Sequence, residues 1–200
     1  LPHLFKIIGL KPGVSRAAAM SMLIISTGTY FFLDPYVNPG PNAEQIADIT
    51  ILAAQNIQRF GITPKIALLS HSNFGSSNRP TARKMRDALK LIKEKNPDLQ
   101  IDGEMQADVA LSEELRDKLV TNSPLVGRAN LLVMPSIDSA NISYNMMRIL
   151  ADGLAIGPML LGMDQPVHVL AEGVTARGIM NMTAVAVVEA QQEINRELPL

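Results

Sequence analysis

Apolar and polar positions along this chain follow two different periods. Residues 20–25 and 29–33 are apolar runs joined by Ser26-Thr27-Gly28, which predicts a hairpin. Residues 3–9 alternate loosely and predict a strand, followed by turn chemistry at Lys11-Pro12-Gly13-Val14. Asp34-Pro35 and Asn38-Pro39-Gly40-Pro41 then break the chain. From residue 42 the period lengthens. Asn42 is a helix cap with Gln45 three residues on, and Ile46, Ile49, Ala53, Ile57 and Phe60 recur at spacings of three and four up to Gly61. Ile66-Ala67-Leu68-Leu69 predicts a short buried strand. Residues 81–95 predict a second amphipathic helix, with Met85, Ala88, Leu89 and Ile92 on one side and Pro97 beyond its end.

The alternation continues to the end of the chain. Residues 99–101 predict a strand. Ser112 caps a third helix with Glu113 and Glu114 in its first turn, where they suit the dipole. Leu131-Leu132-Val133-Met134 predicts a buried strand, residues 139–150 a helix and residues 155–161 a strand. Thr175 caps a long final helix running to about Asn195. Ile179, Met180, Met182 and residues 184–188 make that helix apolar nearly all round, which places it in a core or an interface. Short apolar strands between amphipathic helices imply an α/β fold with a largely parallel sheet covered on both faces. Ligands of such sheets sit beyond the carboxyl ends of strands, so the loops of interest are 70–80, 102–110, 135–139 and 162–171.

Composition narrows the function classes. Apolar residues make up 47% and charged residues 18% of 200 residues, which suits a packed globular chain. The net charge of -1 gives no electrostatic case for binding nucleic acid or an anionic membrane. The absence of cysteine excludes disulfides and thiolate chemistry, and a reducing cytoplasm is the expected compartment. No apolar stretch reaches the ~18 residues of a membrane span, and no signal peptide is legible. The chain does not open on methionine, which predicts a piece of a longer protein.

The familiar phosphate-loop, dinucleotide-binding and nucleophile-elbow motifs are absent. Ser70-His71 at a strand end offers a nucleophile and a base, or an ordinary polar loop. His168 between Val167 and Val169 reads as structural. The loop Ser70-His71-Ser72-Asn73-Phe74-Gly75-Ser76-Ser77-Asn78-Arg79 suits either an anion, through backbone N–H groups and Arg79, or plain solvation. Asp102-Gly103-Glu104-Met105-Gln106-Ala107-Asp108 places three carboxylates in seven residues. A metal site, an acid–base pair or a capped turn all fit that pattern.

The last segment also resembles the D-G-E-[LM]-Q-x-D stretch of phosphate acetyl- and butyryltransferases. Val37-Asn38-Pro39 with Ala43-Glu44-Gln45 resembles that family's V-N-P…A-E-Q. Gly127-Arg128-Ala129-Asn130, Pro135, Asn141-Ile142 and Tyr144 resemble its G-[RK]-A-N…P…G-N-I-x-Y. Ala155-Ile156-Gly157-Pro158, Gly162 and Pro166-Val167 resemble its A-I-G-P-[IM]-x-x-G-x-x-x-P-V, and Lys11-Pro12-Gly13-Val14-Ser15 its K-P-G-x-S loop. The blocks fall in order across nearly the whole chain. The resemblance implies a two-lobed α/β/α sandwich, of which this chain is roughly the C-terminal two-thirds. Residues 22–150 would form an inserted lobe, and 1–21 with 151–200 part of the other. It further implies dimers and a cleft for acyl-CoA. The residues expected to meet that ligand are Lys11, Gly13 and Ser15 of the K-P-G-x-S loop with Ser70, Ser76, Asn141 and Tyr144, and Arg16 is charge beyond the family's motif that a CoA phosphate could meet.

One departure is informative. Active members continue Pro-Val with Asn-Asp-Leu-Ser-Arg-Gly, whereas here the run is Pro166-Val167-His168-Val169-Leu170-Ala171-Glu172-Gly173. Alanine stands for the serine at 171 and glutamate for the arginine at 172, and the aspartate expected a turn later falls at Gly178. Such a worn domain resembles the one carried by long, multidomain bacterial NADP-dependent malic enzymes. That resemblance implies an acetyl-CoA-sensing and oligomerisation role, with no cofactor or metal in this domain. NADP and a divalent metal would belong to an upstream malic enzyme domain. The alternatives are a working acetyl- or butyryltransferase with rearranged groups, and a dimerisation module that binds nothing.

Overall fold

The computed structural model describes residues 2–170 and 172–197. A six-stranded sheet of order β4-β3-β5-β2-β1-β6 is flanked by helices. Its strands are β1 (Ala18–Ile25), β2 (Gly28–Leu33), β3 (Lys65–Leu69), β4 (Gln100–Met105), β5 (Leu131–Val133) and β6 (Leu154–Leu161). The helices are α1 (Pro2–Ile7), α2 (Ala43–Arg59), α3 (Pro80–Lys95), α4 (Ala107–Leu111), α5 (Glu113–Asp117), α6 (Ile137–Leu150) and α7 (Ala176–Glu197). Strands β4, β3, β5 and β2 run parallel, as the alternation predicts. Strands β1 and β6 are antiparallel additions, so the sheet is mixed. The tight β1–β2 hairpin, pairing Ile25 with Gly28, forces that reversal.

Each face of the sheet has its own core. On one face Met20, Phe31, Ile66, Leu68 and Leu131 meet Ile46, Ala53 and Ile57 of α2, Met85 and Ile92 of α3, and Met182 of α7. On the other, Phe32, Ala67 and Leu132 meet Val109 of α4 and Tyr144 of α6. The start of α2 carries the capping box predicted for it: Gln45 N donates to Asn42 Oδ1 and Asn42 N to Gln45 Oε1, both at 2.9 Å. Ser112 caps α5 and Thr175 Oγ1 accepts from Gly178 N at the start of α7.

Two elements differ from the sequence pattern. Residues 3–9 are largely helical rather than extended, with α1 covering Pro2–Ile7. Leu4, Phe5 and Ile8, spaced as a helix face, pack on Ala17, Leu160 and Met163, and proline suits a first helical position. Residues 102–110 are not a loop: the acidic run is the buried end of β4 followed by α4. Helix α7 buries Met182 and Val185 but leaves Ile179, Met180, Val187 and Val188 exposed. Among the described residues no helix is long and apolar enough to cross a membrane.

Candidate functional site

Where the antiparallel strands leave the sheet uncovered, a cleft of ≈ 530 Å³ opens. Ala19 of β1 and Ala155 and Gly157 of β6 contribute small residues to it. Gly157 has φ +133, and an added Cβ would lie 3.1 Å from Met20 O, so β6 approaches β1 closely only with glycine there. One wall is Tyr36 and Val37 after β2 with Tyr144 and Arg148 of α6. The other is Val169, Leu170, residues 172–175, Gly178 and Met182.

The first wall is tightly held. Asp34, at the end of β2, accepts from Ala19 N (3.1 Å), Val37 N (3.2 Å), Asn38 N (3.0 Å) and Asn38 Nδ2 (2.6 Å). Burial raises its carboxyl's pKa and these hydrogen bonds oppose the rise. The Val37-Asn38-Pro39 motif is thus the clamp that sets Tyr36 and Val37 at the cleft. Tyr144 stacks edge-on against Phe32 at 5.5 Å and Tyr36 at 6.4 Å, and Arg148 Cζ lies 5.9 Å from the Tyr144 ring centre. Burial pushes both phenols up, Tyr144 against the opposing effects of Arg148 and Ser21, so both stay protonated donors at neutral pH.

The opposite wall carries two of the three positions where the resemblance expects catalytic groups. Glu172 and Gly178 both face the cleft, while Ala171 lies outside the described residues. A Cβ on Gly178 would sit 2.8 Å from Val174 Cγ2, so Val174 fills the space into which a side chain would project.

The residues assigned to acyl-CoA fall in several places, and of them only Tyr144 lines this cleft. Asn141, one turn earlier on α6, donates to Pro35 O at 3.2 Å. Lys11 is ion-paired with Glu193 of α7. Gly13, Ser15 and Arg16 line a second pocket of ≈ 370 Å³ with Asp48 and Lys95. There Ser15 Oγ donates to Asp48 Oδ2 (3.0 Å) and Lys95 Nζ to Asp48 Oδ1 (2.7 Å). Burial alone would raise Asp48's pKa, but those bonds and the Lys95 and Arg16 charges bring it below the ordinary value. Arg16 Nη1 donates to Asn38 Oδ1 at 3.0 Å, tying this pocket to the clamp.

Ser70 and Ser76 lie at the far end of the sheet, in the loop after β3. That loop wraps Glu104, which is fully buried: Oε1 accepts from Ser72 Oγ (3.0 Å), Gly75 N (3.1 Å) and Arg86 Nη1 (2.9 Å). Part of the loop's donor capacity is therefore spent on an internal carboxylate. Ser76 Oγ accepts from Asn73 N at 3.1 Å, and Ser70 Oγ is 3.5 Å from His71 Nδ1, long for a nucleophile–base pair. The other two acids of the run are held separately, Asp102 by Ser123 Oγ (2.6 Å) and Gly103 N, Asp108 by Val109 N. Among the described residues no group of three or more such side chains could hold a metal. His168 is structural, as its apolar flanks predict. Its Nδ1 accepts from Leu160 N at 3.1 Å, and its Nε2 lies 3.1 Å from Glu189 Oε2.

Tyr36, Arg148 and Val174 are cleft residues that sequence reasoning missed. Arg148 was findable, being four residues after Tyr144 and so on the same helix face. Tyr36 precedes a recognised motif, but nothing in its neighbours gives its direction.

Comparison with known proteins adds to this geometry. A family profile described as "Phosphate acetyl/butaryl transferase" matches residues 1–187. An NADP-dependent malic enzyme of Haemophilus influenzae is 51% identical over 187 residues, which is 94% of this chain and 25% of that protein. A phosphate acetyltransferase of Salmonella typhimurium is 35% identical over 188 residues, 94% of this chain and 26% of that protein. The structure of EutD phosphotransacetylase from Staphylococcus aureus matches with a TM-score of 0.88 at 33% identity, covering 93% of this chain and 58% of that one. The chain spans about a quarter of the length of these two curated relatives.

Proposed function

Because the chain belongs to the phosphate acetyl/butaryl transferase family, we propose that its cleft binds an acyl-CoA without transferring the acyl group, as the regulatory and oligomerisation module of a longer NADP-dependent malic enzyme. The observation that carries this reading is the wall bearing Glu172 and Gly178, at positions where active members have arginine and aspartate. Acyl transfer to phosphate brings a dianion to a thioester and develops charge on the carbonyl oxygen. A preorganised guanidinium meets both demands, and one such donor is typically worth ~2.7–4 kcal/mol of barrier. Glu172 repels the phosphate instead, and Gly178 offers no group to take a proton from the CoA thiol in the reverse direction.

Binding without turnover needs only ground-state contacts. Tyr36, Tyr144 and Arg148 offer two phenols and a guanidinium to the ligand's polar groups, and the Arg16 pocket offers a further cation to its phosphates. Acetyl-CoA is the proposed effector. NADP and a divalent metal belong to the upstream part of the longer protein, and the compartment is the cytoplasm. The division into lobes 22–150 and 1–21 with 151–200 belongs to the same proposal, as does a homo-oligomer using the exposed face of α7. The 35% identity to a phosphate acetyltransferase and the open cleft favour a second reading, a working acyltransferase with rearranged groups.

The test is malate oxidation by the full-length protein. Acetyl-CoA slows it, and Tyr144→Ala raises the concentration required by about tenfold or more, as loss of a buried aromatic anchor does. A rate indifferent to saturating acetyl-CoA would leave a scaffold and remove the sensor.

A further inference from the structure

We infer that His168 is a positioning residue of this cleft: it clasps one wall to β6 only while its Nδ1 carries no proton, so that acid releases the wall and weakens ligand binding. This rests on the reading of the cleft as an acyl-CoA site. His168 directly precedes Val169 and Leu170 of that wall. Its side chain is 5% exposed and stands between two other elements that bound the cleft. Nδ1 accepts from Leu160 N of β6 at 3.1 Å, and Leu160 lines the cleft too. Nε2 lies 3.1 Å from Glu189 Oε2 of α7, the helix that brings Gly178 and Met182 to the same wall.

The two neighbours favour opposite protonation states of the ring. A backbone N–H only donates, so Leu160 N requires a bare Nδ1 and leaves the neutral ring's proton on Nε2. A second proton turns Nδ1 into a donor facing another donor, and that bond is lost. Glu189, 9% exposed, favours the charged ring, because its contact with Nε2 is not an aligned hydrogen bond and gains from charge. The other charged groups lining the adjoining small pocket are Lys11, Arg59 of α2 and Glu193 of α7, and Lys11 is ion-paired with Glu193. Histidine is the side chain whose charge changes between about pH 5 and 8, which sets the window to probe.

Calorimetric titration of the full-length protein with acetyl-CoA at about pH 7.5 and about pH 5.5 tests this. On acidification, affinity falls about tenfold more in the parent than in His168→Asn, within the tenfold per pH unit that uptake of one proton allows. The asparagine oxygen still accepts from Leu160 N but does not titrate, and protons taken up by the ligand itself are common to both proteins. Glu189→Gln removes the carboxylate that favours the charged ring, so its loss of affinity is displaced to lower pH. Equal falls in the parent and the Asn variant overturn the clasp and leave the cleft reading standing. A Glu189→Gln protein that follows the parent's pH dependence does the same. No binding of acetyl-CoA by the parent at about pH 7.5 overturns both.

Discussion

Gly103→Ala lowers the stability of the fold by about 3–5 kcal/mol, near the limit of what single substitutions do. Gly103 stands in β4 opposite Leu68 of the parallel neighbour β3, with φ +144. A Cβ there would lie 2.6 Å from Leu68 O and 3.3 Å from Leu68 Cα. Both are backbone atoms of the fully buried Leu68, so no rotamer change relieves the clash. Gly9 is the control. It too has positive φ, +82, but nothing lies within 4 Å of its would-be Cβ, so alanine there costs about 1 kcal/mol. Denaturant unfolding of the two variants separates steric exclusion from backbone preference. Equal losses would show that β4 shifts to admit the methyl. The glycine of the Asp102-Gly103-Glu104 run thus serves strand packing, while Asp102 accepts from Ser123 Oγ and Glu104 Oε1 from Ser72, Gly75 and Arg86.

Arg116→Met costs about 3–5 kcal/mol for a different reason. The side chain is fully buried, and its guanidinium donates to Val109 O (3.3 Å), Leu125 O (2.7 Å) and Gly127 O (2.6 Å). These carbonyls belong to α4 and to the irregular segment leading into β5. One planar fork closes the excursion from β4 to β5 by satisfying all three. Methionine fills a similar volume but leaves buried acceptors unpaired, at about 1–3 kcal/mol each before relaxation. Arg116→Lys keeps the charge without the fork and falls between parent and Met variant in thermal unfolding. A Met variant as stable as the parent would mean that water reaches those carbonyls.

These positions show what a sequence reveals and what it hides. Helices α2, α3, α6 and α7 were legible because each runs long enough to repeat its apolar spacing, and α2 because Asn42 and Gln45 announce its cap. Helix α1 is six residues long and completes too few turns to display a period. The antiparallel placement of β6 beside β1 was hidden because pairing between distant strands leaves no local mark. Asp102 and Glu104 look solvated in sequence because the partners that bury them, Ser72, Arg86 and Ser123, lie far along the chain. For the site, Tyr144, Glu172 and Gly178 were legible through motif positions. The distribution of Lys11, Arg16 and Ser70 over separate places was not, because motif order does not say which end or face of a sheet a loop reaches.

The central claim is a transferase fold whose cleft binds acyl-CoA but no longer turns it over. The most direct measurement is acetyl phosphate formation from acetyl-CoA and inorganic phosphate by the full-length protein, at concentrations that saturate acetyl-CoA binding. The account predicts no formation above the rate without protein. Turnover in the range usual for enzymes, about 1–1000 per second, would contradict it and make Glu172 and Gly178 part of a working site.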